Sequence, residues 1–164
     1  MEKHKRDSWD DYHFGIMNAV AKRATCDRGR SGALIVRDNR ILVTGYVGSP
    51  PGFPHCDEVG HELEQRTRNG KTTEHCIRTI HAELNAILQA AKYGIPIAGA
   101  IMYSRMTPCP TICVPAIIMC GIIEIKCEKR YQMAKESEVL LKMAGISISY
   151  KYNKEQEYDD RSEK

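Results

Sequence analysis

An α/β fold, with a five-stranded mixed sheet between helices in a three-layer α/β/α arrangement, is predicted by three features of the sequence. Short apolar, β-branched runs at 33–36, 41–44, 101–103, 122–127 and 146–150 alternate with segments of helical period. The first two runs flank Asp38-Asn39, a pair suited to a tight hairpin turn. The 164 residues are 42% hydrophobic and 27% charged, enough apolar material for one core of ordinary size. A single domain over 1–150 follows, with 151–164 as a charged tail that has almost nothing to pack.

The elements follow in order. Ser8-Trp9-Asp10-Asp11 reads as a capping box, and Trp9, Tyr12, Ile16, Met17, Val20 and Ala24 recur at helical spacing. This predicts a first helix ending near Thr25, with Trp9 and Met17 in the core. His4 and His13 are expected to face solvent, because neither has a partner of ligand type nearby. After the hairpin comes a Gly/Pro-rich stretch at 45–52. Residues 53–73 are polar without a clear period and read as a long loop that needs a function or a tie. A helix is expected over 78–93, with Leu84, Ile87, Leu88 and Ala91 on its apolar face and Gly94 as its stop. The strand at 101–103 leads to a loop at Pro108, and a helix spans 112–120. Pro115 is tolerable there because it falls near the helix start. The chain closes with a strand at 122–127, a helix at 134–144 ended by Gly145, and a strand at 146–150. Cys120 and Cys127 are expected to be core thiols.

Charge and cysteine usage exclude several classes. A formal net charge of +3, scattered along the chain, gives no basic stripe for nucleic acid, although a small anionic substrate would fit. The first ten residues are charged, and no long hydrophobic run occurs, so neither a signal peptide nor a membrane span is expected. Seven cysteines, an odd number, read as thiols and metal ligands in the cytoplasm rather than as a disulfide framework.

Two segments carry chemistry: His81-Ala82-Glu83 and Pro108-Cys109-Pro110-Thr111-Ile112-Cys113. A histidine and two cysteines can hold zinc through three protein ligands and leave the fourth position to water. Glu83, two residues past His81 in the first turn of a helix, can reach that water without being a ligand. Cys113 in the first turn of the following helix meets the positive end of its dipole, which favours thiolate. This is the constellation of the zinc-dependent nucleobase deaminases, in which a glutamate moves the protons. The competing interpretation is a zinc-stapled binding module with closed coordination and no use for Glu83. A deaminase acting on a nucleic-acid base would require a basic channel that the sequence lacks.

The helix from His81 to Lys92 resembles the catalytic helix of the deoxycytidylate (dCMP) deaminases and the related late-competence deaminase proteins. So does the segment from Ala116 through Gly121-Ile122. Gly45-Tyr46-Val47-Gly48-Ser49-Pro50 is similar to that family's Gly-Tyr-Asn-Gly-x-Pro segment, and the likeness covers residues 24–150. The resemblance implies the cytidine-deaminase fold and conversion of dCMP to dUMP for thymidylate synthesis; dCTP, cytidine and deoxycytidine are the next candidate substrates. It implies catalytic Glu83, zinc ligands His81, Cys109 and Cys113, and substrate contacts from Gly48, Ser49, Pro50, Asn85 and Tyr131. Gly52 would also shape the sugar side, and Arg105 is a candidate for the phosphate. Lys92 falls where the family has an interface and allosteric region. Oligomers, dimers or hexamers, switched by dCTP with Mg2+ and by dTTP, belong to the same expectation. By analogy with phage members, a second, structural zinc would tie down the long loop through Cys26, Cys56, His75 and Cys76, with His61 lying inside that loop. Two departures stand out. The family has Cys-x-x-Cys where Cys109 and Cys113 enclose three residues, so one extra residue is expected to bulge the loop. Val47 replaces the family's pocket asparagine and removes a hydrogen-bonding side chain.

Overall fold

The computed structural model describes residues 5–68 and 70–155. In chain order the elements are α1 (Trp9–Ala21), β1 (Gly32–Arg37), β2 (Arg40–Tyr46), α2 (Cys56–Val59), β3 (Leu63–Arg68), β4 (Lys71–Cys76), α3 (Ala82–Tyr93), β5 (Ile101–Met106), α4 (Cys113–Met119), β6 (Glu124–Lys129), α5 (Ala134–Met143) and β7 (Ser147–Tyr150).

The hairpin forms where the turn chemistry requires it. Asp38 and Asn39 both take positive φ, 51° and 58°, the backbone of a type I′ turn whose twist matches that of its strands. β1 pairs antiparallel with β2 on one side and with β5 on the other, while β5, β6 and β7 run parallel. The result is a mixed five-stranded sheet in the order β2-β1-β5-β6-β7.

Alternation along β1 separates two cores. Leu34 and Val36 meet Phe14 and Met17 of α1 together with Tyr103. Ala33 and Ile35 face the opposite side, where α3, α4 and α5 contribute Ala86, Val114, Ile117 and Leu141. The sheet thus lies between α1 and a layer of three helices. Met17, Ile117, Ile125 and Leu141 are fully buried, and each such side chain contributes about 2 kcal/mol of apolar burial.

α3 approaches the sheet unusually closely. Its fully buried stripe is Ala82, Glu83, Ala86 and Ala90; of the expected face, Leu84 and Ile87 pack half-buried against the core, whereas Leu88 and Ala91 are exposed. Small residues allow the contact, and Gly45 completes it. A Cβ at Gly45 would fall 2.3 Å from the Ala82 carbonyl oxygen and 2.4 Å from the Ala86 nitrogen. Any side chain there would push the helix, and the residues at its start, off the sheet.

Several elements differ from expectation. α1 ends at Ala21 with Lys22 as C-cap, and residues 23 and 24 continue only as a turn bonded to Val20 and Ala21. Trp9, at the free end of α1, is exposed. His13 is fully buried, stacked on Trp9 and tilted against Tyr103 at 4.8 Å; His4 lies outside the described residues. The stretch 53–73 contains the short α2 and, with residues 74–76, a two-stranded hairpin. No hydrophobic alternation marks this hairpin because polar pairs hold it, among them the Thr67 and Thr72 hydroxyls at 2.9 Å. The tail begins as ordered backbone: the Lys151 and Tyr152 amides donate to the Cys127 and Glu128 carbonyls, and Arg130 donates to the Lys154 carbonyl. Residues 156–164 lie outside the described part. Cys127 is a fully buried thiol, and Cys120 is half-buried. Among the described residues, no helix is long and apolar enough to cross a membrane.

Candidate functional site

Two clusters of His and Cys donor atoms lie close together, and each is built by element ends rather than by element interiors. His81 is the N-cap of α3, with extended backbone at φ −65° and ψ 151°, so its ring projects back toward the start of α4. Cys113 opens α4. Cys109 lies in the loop after β5, and the intervening turn at 110–112 absorbs the extra residue. The donor atoms of His81, Cys109 and Cys113 all fall within 4.8 Å of one another. Cys113 Sγ is 3.3 Å from His81 Nδ1, and the Cys113 amide donates to Cys109 Sγ at 3.4 Å.

The electrostatics suit a metal. The Cys113 thiol donating to Cys109 overcomes burial and, with His81, lowers the Cys109 thiol to about 3. That sulfur is a ready thiolate at neutral pH. Cys113 is raised in turn, first by that same hydrogen bond and then by burial. Burial depresses the His81 imidazole, but the neighbouring Cys109 sulfur more than offsets it. Two sulfurs and an imidazole nitrogen converging in a buried site form a donor set suited to zinc.

Glu83 sits beside this trio, 5% exposed. Its Oε2 is 3.7 Å from Cys113 Sγ, and Ser104 Oγ donates to its Oε1. Burial raises the Glu83 carboxyl above its ordinary range, against the pull of His81 and the Ser104 hydroxyl. A buried carboxyl with a raised pKa, fixed by one hydroxyl, is equipped to accept and return a proton.

The second cluster is Cys26, Cys56, His61 and Cys76, again with donor atoms within 4.8 Å of one another. It joins the loop after α1, the start of α2, the entry to β3 and the end of β4. Cys56 Sγ lies 3.6 Å from Cys76 Sγ, and Cys26 Sγ 3.6 Å from His61 Nδ1. His61 Nε2 is 3.0 Å from Asp27 Oδ1, which leaves Nδ1 directed at the sulfurs. Burial and then the neighbouring Cys26 and Cys76 sulfurs push the Cys56 thiol far up. Burial raises the Cys26 thiol as well, whereas for Cys76 burial is outweighed by main-chain contacts at Glu62 and Arg78 and by Cys56, which lower it. Three sulfurs and one imidazole within reach of one another are a donor set of the kind that can close around zinc.

His75 does not join this cluster. It follows Glu74 and precedes Cys76 in β4, and successive strand residues point to opposite faces. Cys76 therefore turns to the sulfurs while His75 Nε2 meets Thr73 Oγ1 at 2.8 Å. His61 supplies the imidazole instead.

A cleft opens over the first cluster, with His81, Glu83 and Cys109 in its lining. Tyr131 and Val47 line it as expected for a pocket wall, but Gly48, Ser49, Pro50 and Asn85 do not. Gly48 bridges to Ile80, and the Ser49 amide donates to Thr25 Oγ1. Asn85 Nδ2 donates to the Tyr46 carbonyl at 2.7 Å, which ties α3 to β2. Gly52 and Arg105 are also absent from the lining; the Arg105 guanidinium donates to the Arg30 carbonyl. Lys92 lies in the last turn of α3, its Nζ 5.4 Å from the centre of the Tyr93 ring. The cleft adds residues that no motif announced, Arg28, Ser31, Glu74 and Gln132, and His75 stands in its lining rather than among the second cluster's ligands. Arg28 Nη1 donates to Glu74 Oε2 at 3.2 Å and Nη2 to the Glu74 carbonyl at 3.4 Å. Only the position of Arg28 two residues past Cys26 hinted at it.

Comparison with known proteins agrees with this arrangement. Residues 7–129 match the family described as the cytidine and deoxycytidylate deaminase zinc-binding region. The ComE operon protein 2 of Bacillus subtilis is 38% identical over 144 residues, covering 88% of this chain and 71% of that protein. The deoxycytidylate deaminase of Schizosaccharomyces pombe is 35% identical, covering 87% of this chain and 44% of its own length. This chain therefore spans less than half of the yeast relative. Among solved structures, the dCMP deaminase of cyanophage S-TIM5 in complex with dCMP and dUMP superposes with a TM-score of 0.71 at 23% identity, over 90% of this chain and 99% of that one. That likeness gives the fold as cytidine-deaminase-like. Since the family match runs over most of its length, through both His81 and Cys113, the chain belongs to the cytidine and deoxycytidylate deaminase zinc-binding family.

Proposed function

We propose that this chain is a hydrolytic deaminase that converts dCMP and water to dUMP and ammonia. The observation that carries the reading is the buried Glu83 carboxyl beside a cluster of three metal-ligand atoms, with Glu83, His81 and Cys109 lining one cleft. His81, Cys109 and Cys113 would hold zinc, which when bound supplies Lewis acidity and brings the pKa of a coordinated water toward about 7. Glu83 takes the proton of the attacking water and passes it to the ring nitrogen next to the amine-bearing carbon. A carbon–oxygen bond forms there. Glu83 then carries the second proton to the amino group, the carbon–nitrogen bond breaks, and ammonia leaves. Ser104 holds Glu83 in place through both transfers. Cys26, Cys56, His61 and Cys76 would hold a second zinc that fixes the β3–β4 hairpin.

The deoxycytidylate deaminases among the relatives support dCMP as the substrate. The phage T4 deoxycytidylate deaminase adds to this: at 31% identity it covers 81% of this chain and 84% of its own length. The resemblance extends the proposal to homo-oligomers and to control by dCTP with Mg2+ and by dTTP. All seven cysteines are unpaired thiols, which suits a reducing compartment such as the cytoplasm. Steady-state rates on dCMP, dCTP and deoxycytidine test the substrate: the highest kcat/KM is expected on dCMP, and a preference for the unphosphorylated nucleoside defeats it.

A further inference from the structure

Ser31 lines the cleft and carries a polar group that the protein leaves unused. The residue is 5% exposed, and its Oγ has no hydrogen-bond partner among the described residues. No other described residue in the cleft lining has a buried side-chain nitrogen or oxygen in that state. By contrast, Thr107 Oγ1 accepts from the Tyr131 amide, and the Tyr131 hydroxyl accepts from Gln132 Nε2. A buried hydroxyl without a partner is costly and rare in native structures, and in the wall of a binding site a ligand that completes it is the simplest explanation.

The strand period fixes where that hydroxyl points. Ser31 immediately precedes β1 and shares the parity of Ala33 and Ile35, which face the layer of α3, α4 and α5. Its carbonyl accepts from the Val47 amide at 3.0 Å, so Ser31 and Val47 carry the β1–β2 pairing one step further, and both line the cleft. Two residues back along β2, Gly45 lies close against Ala82 in the first turn of α3. Ser31 and Val47 therefore form the wall that adjoins the turn carrying Glu83. Val47 offers this wall only methyl groups, and the hydrogen-bonding side chain on it is Ser31.

Resting on the deaminase reading above, we propose that Ser31 is a specificity-determining residue whose hydroxyl hydrogen-bonds the 3′-hydroxyl of the substrate's deoxyribose. When the amine-bearing carbon of the ring reaches Glu83 and the three-donor cluster, the sugar, joined to the ring by a single bond, lies against the adjoining wall. A deoxynucleoside monophosphate has one free sugar hydroxyl, at C3′. A hydroxyl both donates and accepts, as the serine does, so the pair matches without a charge on either side.

The test measures binding of dUMP and of 2′,3′-dideoxyuridine 5′-monophosphate, which lacks only that hydroxyl, to zinc-loaded full-length protein by titration calorimetry. Wild type should bind dUMP about 10-fold more tightly, the scale of one good hydrogen bond. Ser31→Ala should erase the difference by weakening dUMP alone, with the dideoxynucleotide bound as in wild type. Its melting temperature should stay level or rise, because the folded protein loses a hydroxyl that none of its own groups satisfied. Equal weakening of both nucleotides, a wild-type ratio in Ser31→Ala, or a lowered melting temperature overturns the assignment. Turnover of dCMP, measured alongside, separates the two readings. If wild type does not deaminate dCMP while the ratio still depends on Ser31, the deaminase reading falls and the sugar contact stands; turnover with a ratio indifferent to Ser31 is the reverse.

Discussion

His81, Cys109 and Cys113 converge with three donor atoms, whereas Cys26, Cys56, His61 and Cys76 converge with four. Both clusters are built from thiols and one imidazole, and both sit at the ends of secondary elements. What differs is the neighbour. Beside the three-donor cluster stands a buried carboxyl, Glu83, that faces the cleft. Beside the four-donor cluster stands Asp27, bound to the far nitrogen of His61. The same ligand chemistry is thus arranged in two ways: an incomplete set next to a buried carboxyl is equipped for reaction, and a complete set with an oriented histidine is equipped to hold chain segments together.

The comparison breaks most sharply at Cys113. Cys113→Ala should reduce zinc from two ions per chain to one and bring dCMP turnover below detection, as measured by elemental analysis beside an ultraviolet assay. Two zincs in that variant would mean that the three-donor cluster is not a metal site. The second cluster separates two histidines. His61→Ala should remove the other zinc and lower stability by about 4 kcal/mol, at the upper end of single-substitution effects, where loss of a metal belongs, whereas His75→Ala should keep both ions. Thermal melts with metal counts decide between them, and equal behaviour of the two variants contradicts the ligand set. Asp27→Asn acts one step further out. It should weaken the four-donor site by about 10- to 100-fold, read by competition with a chelator, while the three-donor site keeps its zinc.

The smallest effect lies far from both clusters. Burial lowers the His13 imidazole pKa, with Lys126 adding to burial and Asp10 and a main-chain contact at Asn39 opposing it. A histidine held neutral in the folded state is protonated more readily when unfolded, so its contribution falls as pH drops below about 6.5. His13→Leu should therefore lose stability relative to wild type less at pH 5.5 than at pH 7, in denaturant titrations at the two values. A gap that widens on acidification contradicts the sign.

Much of this was legible in the sequence, for identifiable reasons. Asp38-Asn39 specified a hairpin because few residues tolerate positive φ twice in succession. His81, Glu83, Cys109 and Cys113 came together as expected because each lies within a turn of a helix start, where spacing alone constrains geometry. The β3–β4 hairpin was illegible because its strands carry polar residues on both faces, so no period of two appears. That omission caused the exchange of His75 for His61: only knowing that residues 71–76 form a strand reveals that His75 and Cys76 point apart. The resemblance implies substrate contacts from Asn85 and Gly48, but the Asn85 amide meets the Tyr46 carbonyl and the Gln89 side chain, and Gly48 pairs with the backbone of Ile80. Arg28 was missed because the cleft is assembled from segments far apart in sequence, and no local motif announces the meeting of Arg28 with Glu74.

The central claim is that Glu83 moves protons beside a zinc held by three other residues, and Glu83→Gln tests it most directly. Glutamine keeps the size of the side chain and can still meet Ser104, but it cannot carry the proton. The account predicts two zincs per chain, as in wild type, an unchanged melting profile, and dCMP turnover reduced by about 10³-fold or more. Turnover within a few-fold of wild type would contradict it.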